Sequence, residues 1–194
     1  MSEPIVLTEP LGGSALSRAA RAGQLPHWFP PLPRDEQAWS RHVAQLRESI
    51  DTDWLRQLEP AIAPHGAAAE RLQKSASGKG VVVTTGQQPG LFGGPLMTLA
   101  KALSARAFAD TLAELLDVPV APVFWAATDD ADFDEAGVVS VAGRDGAREL
   151  RLETRAASGT PMSRQPLGPE TAVLADVLRE SCGSAAHEQY LAAA

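Results

Sequence analysis

Cysteine is nearly missing from this 194-residue chain, where Cys182 stands alone. A single thiol cannot close an internal disulfide or build a cysteine zinc site within one chain. Long apolar runs are missing too. No stretch approaches the roughly 20 apolar residues that a membrane-spanning helix needs. Met1-Ser2-Glu3-Pro4 offers neither the basic start nor the apolar core of a secretion signal. The cytoplasm is the expected location. Clustered basic charge is the third absence: the formal net charge is −7, and no local group of Lys and Arg offsets it. Neither nucleic acid nor membrane is an expected partner.

The chain does have enough apolar content for a core, 44%, and three segments of unlike character. Residues 1–80 are rich in Ala, Arg, Gln and Trp and broken by Pro26, Pro30, Pro31, Pro33, Pro60 and Pro64. Short helices separated by turns fit this segment, which is expected to pack on the core. Trp39, Val43, Leu46 and Ile50 recur every three or four residues and predict a helix over about 35–48. A further helix is predicted over 66–74, stopped by the small-residue run Ser75 to Gly80. Gly78-Lys79-Gly80 is no P-loop. It lacks a glycine five residues before Gly78 and a Ser or Thr after Lys79, and it precedes the strand.

The middle of the chain is the most informative. Val81-Val82-Val83-Thr84-Thr85 predicts a strand that empties into Gly86-Gln87-Gln88-Pro89-Gly90-Leu91-Phe92-Gly93-Gly94-Pro95. Gly86, Gly90, Gly93 and Gly94 permit backbone angles that side chains resist and let a ligand approach the main chain. Pro95 suits the first turn of a helix, predicted over about 95–116, whose free N–H groups and dipole favour an anion. Leu96, Leu99, Leu103, Ala107, Leu112 and Leu115 are expected on its buried face. Val118 to Ala127 reads as a second buried strand, with Pro119 and Pro122 at its start. Strand, helix and strand over about 81–127 make a βαβ unit, whose strands pair in parallel and gather ligands at their carboxyl ends.

Residues 138–142 and 149–153 are predicted strands joined by a hairpin at 143–147; 156–168 reads as loop and 169–180 as helix. Two parallel strands are too few for a covered doubly wound sheet, so the polypeptide is expected to continue beyond residue 194. Asp129, Asp130, Asp132, Asp134 and Glu135 follow the second strand closely. Five carboxylates in such a run repel one another unless a cation, an ammonium group, N–H groups or water meets them. The Asp130-x-Asp132-x-Asp134 spacing fits the opening of a calcium loop, but Glu135 occupies the position of its invariant glycine and Val141 that of its bidentate Glu. Magnesium shared between one or two carboxylates and substrate phosphates stays open.

The blocks Thr85 to Pro95, Lys101 to Ala105, Val118 to Trp125 and Asp130-x-Asp132-Phe133-x-Glu135 resemble, in the same order, the BshC family of cysteine-adding enzymes in bacillithiol biosynthesis. The resemblance spans about 84–135. It implies an α/β fold with a Rossmann-like core over 81–194, incomplete at its C-terminus, in family chains that are longer and carry an inserted region and a coiled coil. It also implies an amide-forming ligase that joins cysteine to the glucosamine amine of glucosaminyl malate. In that reading Gly86, Gln87, Gln88, Gly90, Gly93, Gly94, Lys101 and Trp125 bind substrate or phosphate, and Asp130 and Asp132 serve the amine. ATP or ADP and Mg²⁺ are left open, as is homo-oligomerisation. The family commonly reads Asp-His-Asp-Phe where this chain has Ala131.

Each assignment has a plainer competitor. The glycine turn also serves as a strand-to-helix connection, the acids as a solvated loop, Lys101 as an exposed surface lysine. Trp125 fits the core better than a stacking platform. Cys182 reads as an inert thiol, and His27, His42, His65 and His187 show no ligand spacing. A nucleotide- or sugar-phosphate-binding module is the alternative function, and a non-catalytic interaction domain a third.

Overall fold

A computed structural model describes residues 13–51, 53–77, 80–143 and 146–181. Cys182, His187 and the Gly78-Lys79 pair lie outside the described residues. The chain divides into two units, Met1–Gln45 and Leu46–Ala194. In the first, helix α1 (Ala15–Arg21) is capped by Ser14, whose hydroxyl accepts from the Ser17 N–H at 3.1 Å. Helix α2 (Glu36–Ser49) crosses the division and starts where the Asp35 carboxylate accepts from the Ala38 N–H at 2.7 Å. Of its predicted stripe, Val43 is buried, Trp39 and Ile50 are half-buried and Leu46 is exposed.

In the second unit, α3 (Trp54–Leu58) and α4 (Gly66–Ala76) precede strand β1 (Val81–Gln87). Helix α5 (Leu96–Leu116) then leads to strand β2 (Val120–Ala126), which pairs with β1 in parallel from Val81↔Val120 to Gln87↔Ala126. This is the predicted βαβ unit of an α/β, Rossmann-like fold. β1 runs two residues further than expected, so Gly86 and Gln87 belong to the strand. Strand β2 starts two residues later than expected, after Pro119, whose carbonyl accepts from the Val81 N–H at 3.0 Å.

Helix α5 packs on both strands, but not through the expected face. Leu96, Leu99 and Leu103 are 79%, 54% and 54% exposed, Ala107 and Leu115 are exposed, and only Leu112 of the expected set is buried. The face on the sheet carries Ala105, Ala109 and Leu112 instead. The physical reason is the angle between the two stripes. Leu103 and Ala105 differ by two residues, about 200° around a helix, so burying one exposes the other. Small alanines let the helix axis come close to the β-branched surface of the sheet. Helix α4 packs on the same strands, and Arg71 ties the layers together: its Nε donates to the Val120 carbonyl at 2.7 Å and its terminal nitrogen to Asp110 of α5 at 2.5 Å.

Beyond β2, the single-turn α6 (Phe133–Ala136) leads into an antiparallel hairpin of β3 (Val138–Gly143) and β4 (Gly146–Arg151). Both strands run closer to the turn than the predicted 143–147 loop allowed. Helix α7 (Glu170–Ser181) packs on β3. Its first-turn Glu170 accepts from the Thr154 N–H at 2.8 Å, the Glu153 N–H at 3.2 Å and the Thr154 hydroxyl at 3.0 Å. Those donors, the Thr154 N–H first, hold the Glu170 carboxyl below the usual glutamate range. Gly168 leaves room for this clamp, since a Cβ there would collide with Glu170 and Thr154 side-chain oxygens.

Because the folded state lowers this carboxyl's affinity for a proton, the clamp stabilises the fold at neutral pH. That contribution is lost as pH falls through the glutamate range, about 4.3 in free peptides. Thermal denaturation between roughly pH 5 and 3 should therefore show wild type losing more of its stability than Glu170→Gln. Parallel acid profiles for the two proteins would contradict the assignment.

Candidate active site

Two turns leave the carboxyl ends of the paired strands. The first follows Gln87 and runs through a 3₁₀ turn at Leu91–Gly93. Phe92, Gly93 and Gly94 adopt positive φ in succession, +52°, +92° and +76°. For glycines such angles are free, whereas Phe92 is held there at a cost of about 1–3 kcal/mol. Gly90 is required by proximity, since a Cβ would lie 2.7 Å from the Gly94 Cα. Gly86 is required by the sheet, since a Cβ would stand 2.7 Å from the Trp125 carbonyl oxygen. Pro95 caps α5 with extended backbone rather than opening the helix as its first residue, and its carbonyl accepts from the Thr98 N–H at 2.8 Å.

The second turn begins where the Ala127 N–H donates to the Gln87 carbonyl at 3.1 Å, one step past the last sheet pair. Asp130 and Asp132 follow. One oxygen of Asp130 accepts from the Asp132 N–H at 2.8 Å, and one oxygen of Asp132 accepts from the Glu135 N–H at 3.1 Å, capping α6. Turn formation thus uses one oxygen of each carboxylate. The other oxygen of each makes no hydrogen bond among the described residues, so both acids retain an acceptor for a ligand. Ala131 is exposed between them. Residues 162 and 163 hold this turn from outside, with the Met162 N–H on the Asp130 carbonyl at 2.8 Å and the Ser163 N–H on the Thr128 carbonyl at 2.9 Å.

A small core binds the two turns to each other. Leu91 of the glycine turn and Phe133, just past the acids, are buried in one cluster with Leu150 and Leu152. Arg155 lies over the Phe133 ring at 5.0 Å and pairs with Asp134 at 3.1 Å. Beside this cluster is a cavity of about 340 Å³ lined by Gly90, Phe92, Thr128, Gly137 and, from the other side, Met162 and Leu167. Both turns therefore face one space. The side chains of Gln87, Gln88, Asp130 and Asp132 are not among its lining groups.

Lys101, one turn into α5, does not stand free at the surface. Its ammonium donates to the Gln87 Oε1 at 2.6 Å and to the Gly86 carbonyl at 3.2 Å, and Gln87 Nε2 in turn donates to Gln88 Oε1 at 2.9 Å. Trp125 is 56% exposed, so the core assignment fails: β2 is an edge strand here, and its indole lies in a wider cavity of about 680 Å³ with Trp54 and Pro122. Thr128 lines both cavities, and Met162, Gln165, Pro166 and Leu167 line the smaller one. Sequence reasoning passed over that second group as featureless loop, because no periodicity or motif marks it. Among the described residues no three His, Cys, Asp or Glu side chains converge in a group that could hold a metal ion.

Truncating Leu91 to Ala should cost about 2–5 kcal/mol for a buried leucine, read from denaturant unfolding, and should loosen both turns together. A loss under about 1 kcal/mol, the level of an unburied side chain, would show that Leu91 does not anchor the turns.

Comparison with known proteins places these features in one family. The model of the family described as "Bacillithiol biosynthesis BshC, N-terminal Rossmann-like domain" matches residues 20–194. A protein of Prosthecochloris aestuarii named "Putative cysteine ligase BshC" is 39% identical over 122 residues, covering 60% of this chain and 22% of the relative. The Exiguobacterium sibiricum protein of that name is 38% identical over 112 residues, covering 58% and 21%. The Desulforamulus reducens protein is 27% identical over 169 residues, covering 81% and 30%. The matched part is thus about a fifth to a third of each relative's length. With the parallel β1–β2 pair and its glycine turn inside the matched region, the chain belongs to the BshC family and carries its N-terminal Rossmann-like domain.

Proposed function

We propose that this chain supplies the N-terminal part of an amide-forming cysteine ligase that joins cysteine to the glucosamine amine of glucosaminyl malate in bacillithiol biosynthesis. The observation that carries the reading is the adjacency of the two turns, fixed by the bond from the Ala127 N–H to the Gln87 carbonyl. Condensing a carboxylate with an amine requires an activated acyl group at one place and a deprotonated amine beside it. Binding both partners in register turns a bimolecular step into one within a complex.

The Gly86–Gly94 turn, the amides of Gln87 and Gln88 and the N-terminus of α5 suit a carboxylate or phosphate. Among the described residues the Leu96 and Met97 N–H groups have no carbonyl partner there, while Thr98 is bonded to Pro95. The second oxygens of Asp130 and Asp132 suit an ammonium group, which they would position and relieve of its proton. The nucleophile is the substrate's own amine, so the chain needs no Ser or Cys nucleophile. ATP, where bound, would activate the carboxylate by giving it a phosphoryl group that leaves as inorganic phosphate when the amine attacks, with ADP as the other product. Magnesium, where used, would rest on one or two carboxylates together with substrate phosphates. Ala131, in place of the family's common His, puts the proton transfer on the two aspartates. Trp125, exposed at the end of β2, offers an aromatic face to the bound sugar. The reaction is placed in the cytoplasm.

A chimaera tests this. Residues 81–143 of this chain replace the aligned residues of the Prosthecochloris aestuarii relative in cells depleted of that protein, and bacillithiol is followed by mass spectrometry. The chimaera should restore the thiol. Adding Gln87→Ala and Gln88→Ala should lower it at least about 100-fold, the usual effect of removing oriented donors, with protein abundance unchanged. Undiminished thiol in the double variant would remove the amides from the mechanism.

A further inference from the structure

We propose that Lys101 is a positioning residue that fixes the direction of the Gln87–Gln88 amide pair, so that Gln88 presents its NH₂ to a ligand and favours an oxyanion. The inference rests on the function proposed above and narrows it by assigning a polarity to one end of the site.

A lysine ammonium carries three donors and no acceptor. Held 2.6 Å from Gln87, it must face that side chain's oxygen, as it must face the Gly86 carbonyl at 3.2 Å. The Gln87 amide is thereby turned so that its NH₂ points the other way. That NH₂ lies 2.9 Å from Gln88, whose oxygen must therefore face it. Every link runs outward from the ammonium, and the last group in line is the Gln88 NH₂, which no described residue accepts. Amide orientation, usually ambiguous between N and O, is settled here at both glutamines by the one group that cannot accept.

Reversal is costly at either step. Flipping Gln88 would set two NH₂ groups against each other, and flipping Gln87 would set an NH₂ against an ammonium. Both amides and the lysine are half-buried, where a lost hydrogen bond is not fully replaced by water. The positive charge at the start of the line also polarises both amides and strengthens the terminal donor. A donor NH₂ backed by a lysine favours a carboxylate or phosphoryl oxygen over an ammonium group. In the proposed reaction, Gln88 would therefore hold an acid group of a substrate and not the attacking amine, which is left to the aspartates of the second turn. Two of the three Lys101 donors are committed to Gly86 and Gln87, so its action runs through the amides.

The test uses the ¹⁵N-labelled 194-residue chain, with Lys101→Met and Lys101→Arg as variants and the side-chain NH₂ signals of both glutamines as the reporters. In the free protein, Lys101→Met should speed Gln87 NH₂ exchange with water at least about 10-fold, and Lys101→Arg, still a pure donor, should restore part of the protection. Titration with malate and, separately, with inorganic phosphate should shift the Gln88 NH₂ signals of wild type, and the dissociation constant should rise about 10-fold in Lys101→Met. A response to malate alone assigns a carboxylate, a response to phosphate alone a phosphoryl group, and either supports the proposal. Glucosamine, as the ammonium, should leave the signals in place. Unchanged Gln87 exchange in a folded Lys101→Met protein would overturn the relay. A shift with glucosamine, or none with either anion, would overturn the donor assignment. Relay protection is read without any reaction, so it can stand while the chimaera fails to make bacillithiol, and the two failures are distinguishable.

Discussion

The Ala127 N–H donates to the carbonyl of Gln87 just beyond the last rung of the parallel sheet, and the geometry offered to a ligand depends on that bond. Parallel strands run the same way, so pairing them to their tips brings both exits to one edge. One exit carries glycines, amides and a lysine-backed donor; the other carries acids. Leu91 and Phe133, sharing a buried cluster a few residues further on, keep the two turns from separating. Gly86 serves the same end, because strand β1 approaches Trp125 too closely for any side chain there.

The two turns differ in how their polar groups are committed. In the acidic turn Asp130 and Asp132 each spend one oxygen on a backbone N–H of the turn, which organises the loop and leaves one oxygen over. In the glycine turn the commitment runs the other way: Lys101 donates to the Gly86 carbonyl and the Gln87 amide, and the Gln88 NH₂ stands at the far end of the line. A donor end and an acceptor end at neighbouring strand tips give the site a direction. The amide-forming reaction proposed above would use that direction, because its two substrates would meet through unlike groups, an acid and an amine.

Much of this was legible in the sequence. The β-branched run 81–85, the glycine turn and the apolar run 118–127 predict the βαβ unit, and strand pairing bears it out. Local chemistry was also readable at Gly90, Gly93 and Gly94, where spacing alone announces a tight turn. The failures have a common cause. A leucine stripe on α5 is a sound signal for an amphipathic helix, but it does not say which of two opposed faces, leucine or alanine, meets the sheet. Periodicity finds the stripe; only packing chooses the side. Trp125 misled for the same reason, since a residue in an apolar strand is buried only if a neighbour covers it. The contacts of Lys101 span 14 and 15 residues of chain, a separation at which sequence suggests a reach but not a target. Residues 162–167 had no signal at all, because backbone N–H groups hold the acidic turn there and any sequence supplies those.

The most direct test of the account is a hydrogen-bond scalar coupling measured by NMR between the Ala127 amide nitrogen and the Gln87 carbonyl carbon. The coupling should be present in the free chain, together with close contacts between residues 87 and 126 that mark parallel pairing in this register. Its absence, with contacts showing a shifted or antiparallel register, would place the two turns apart and contradict the shared edge.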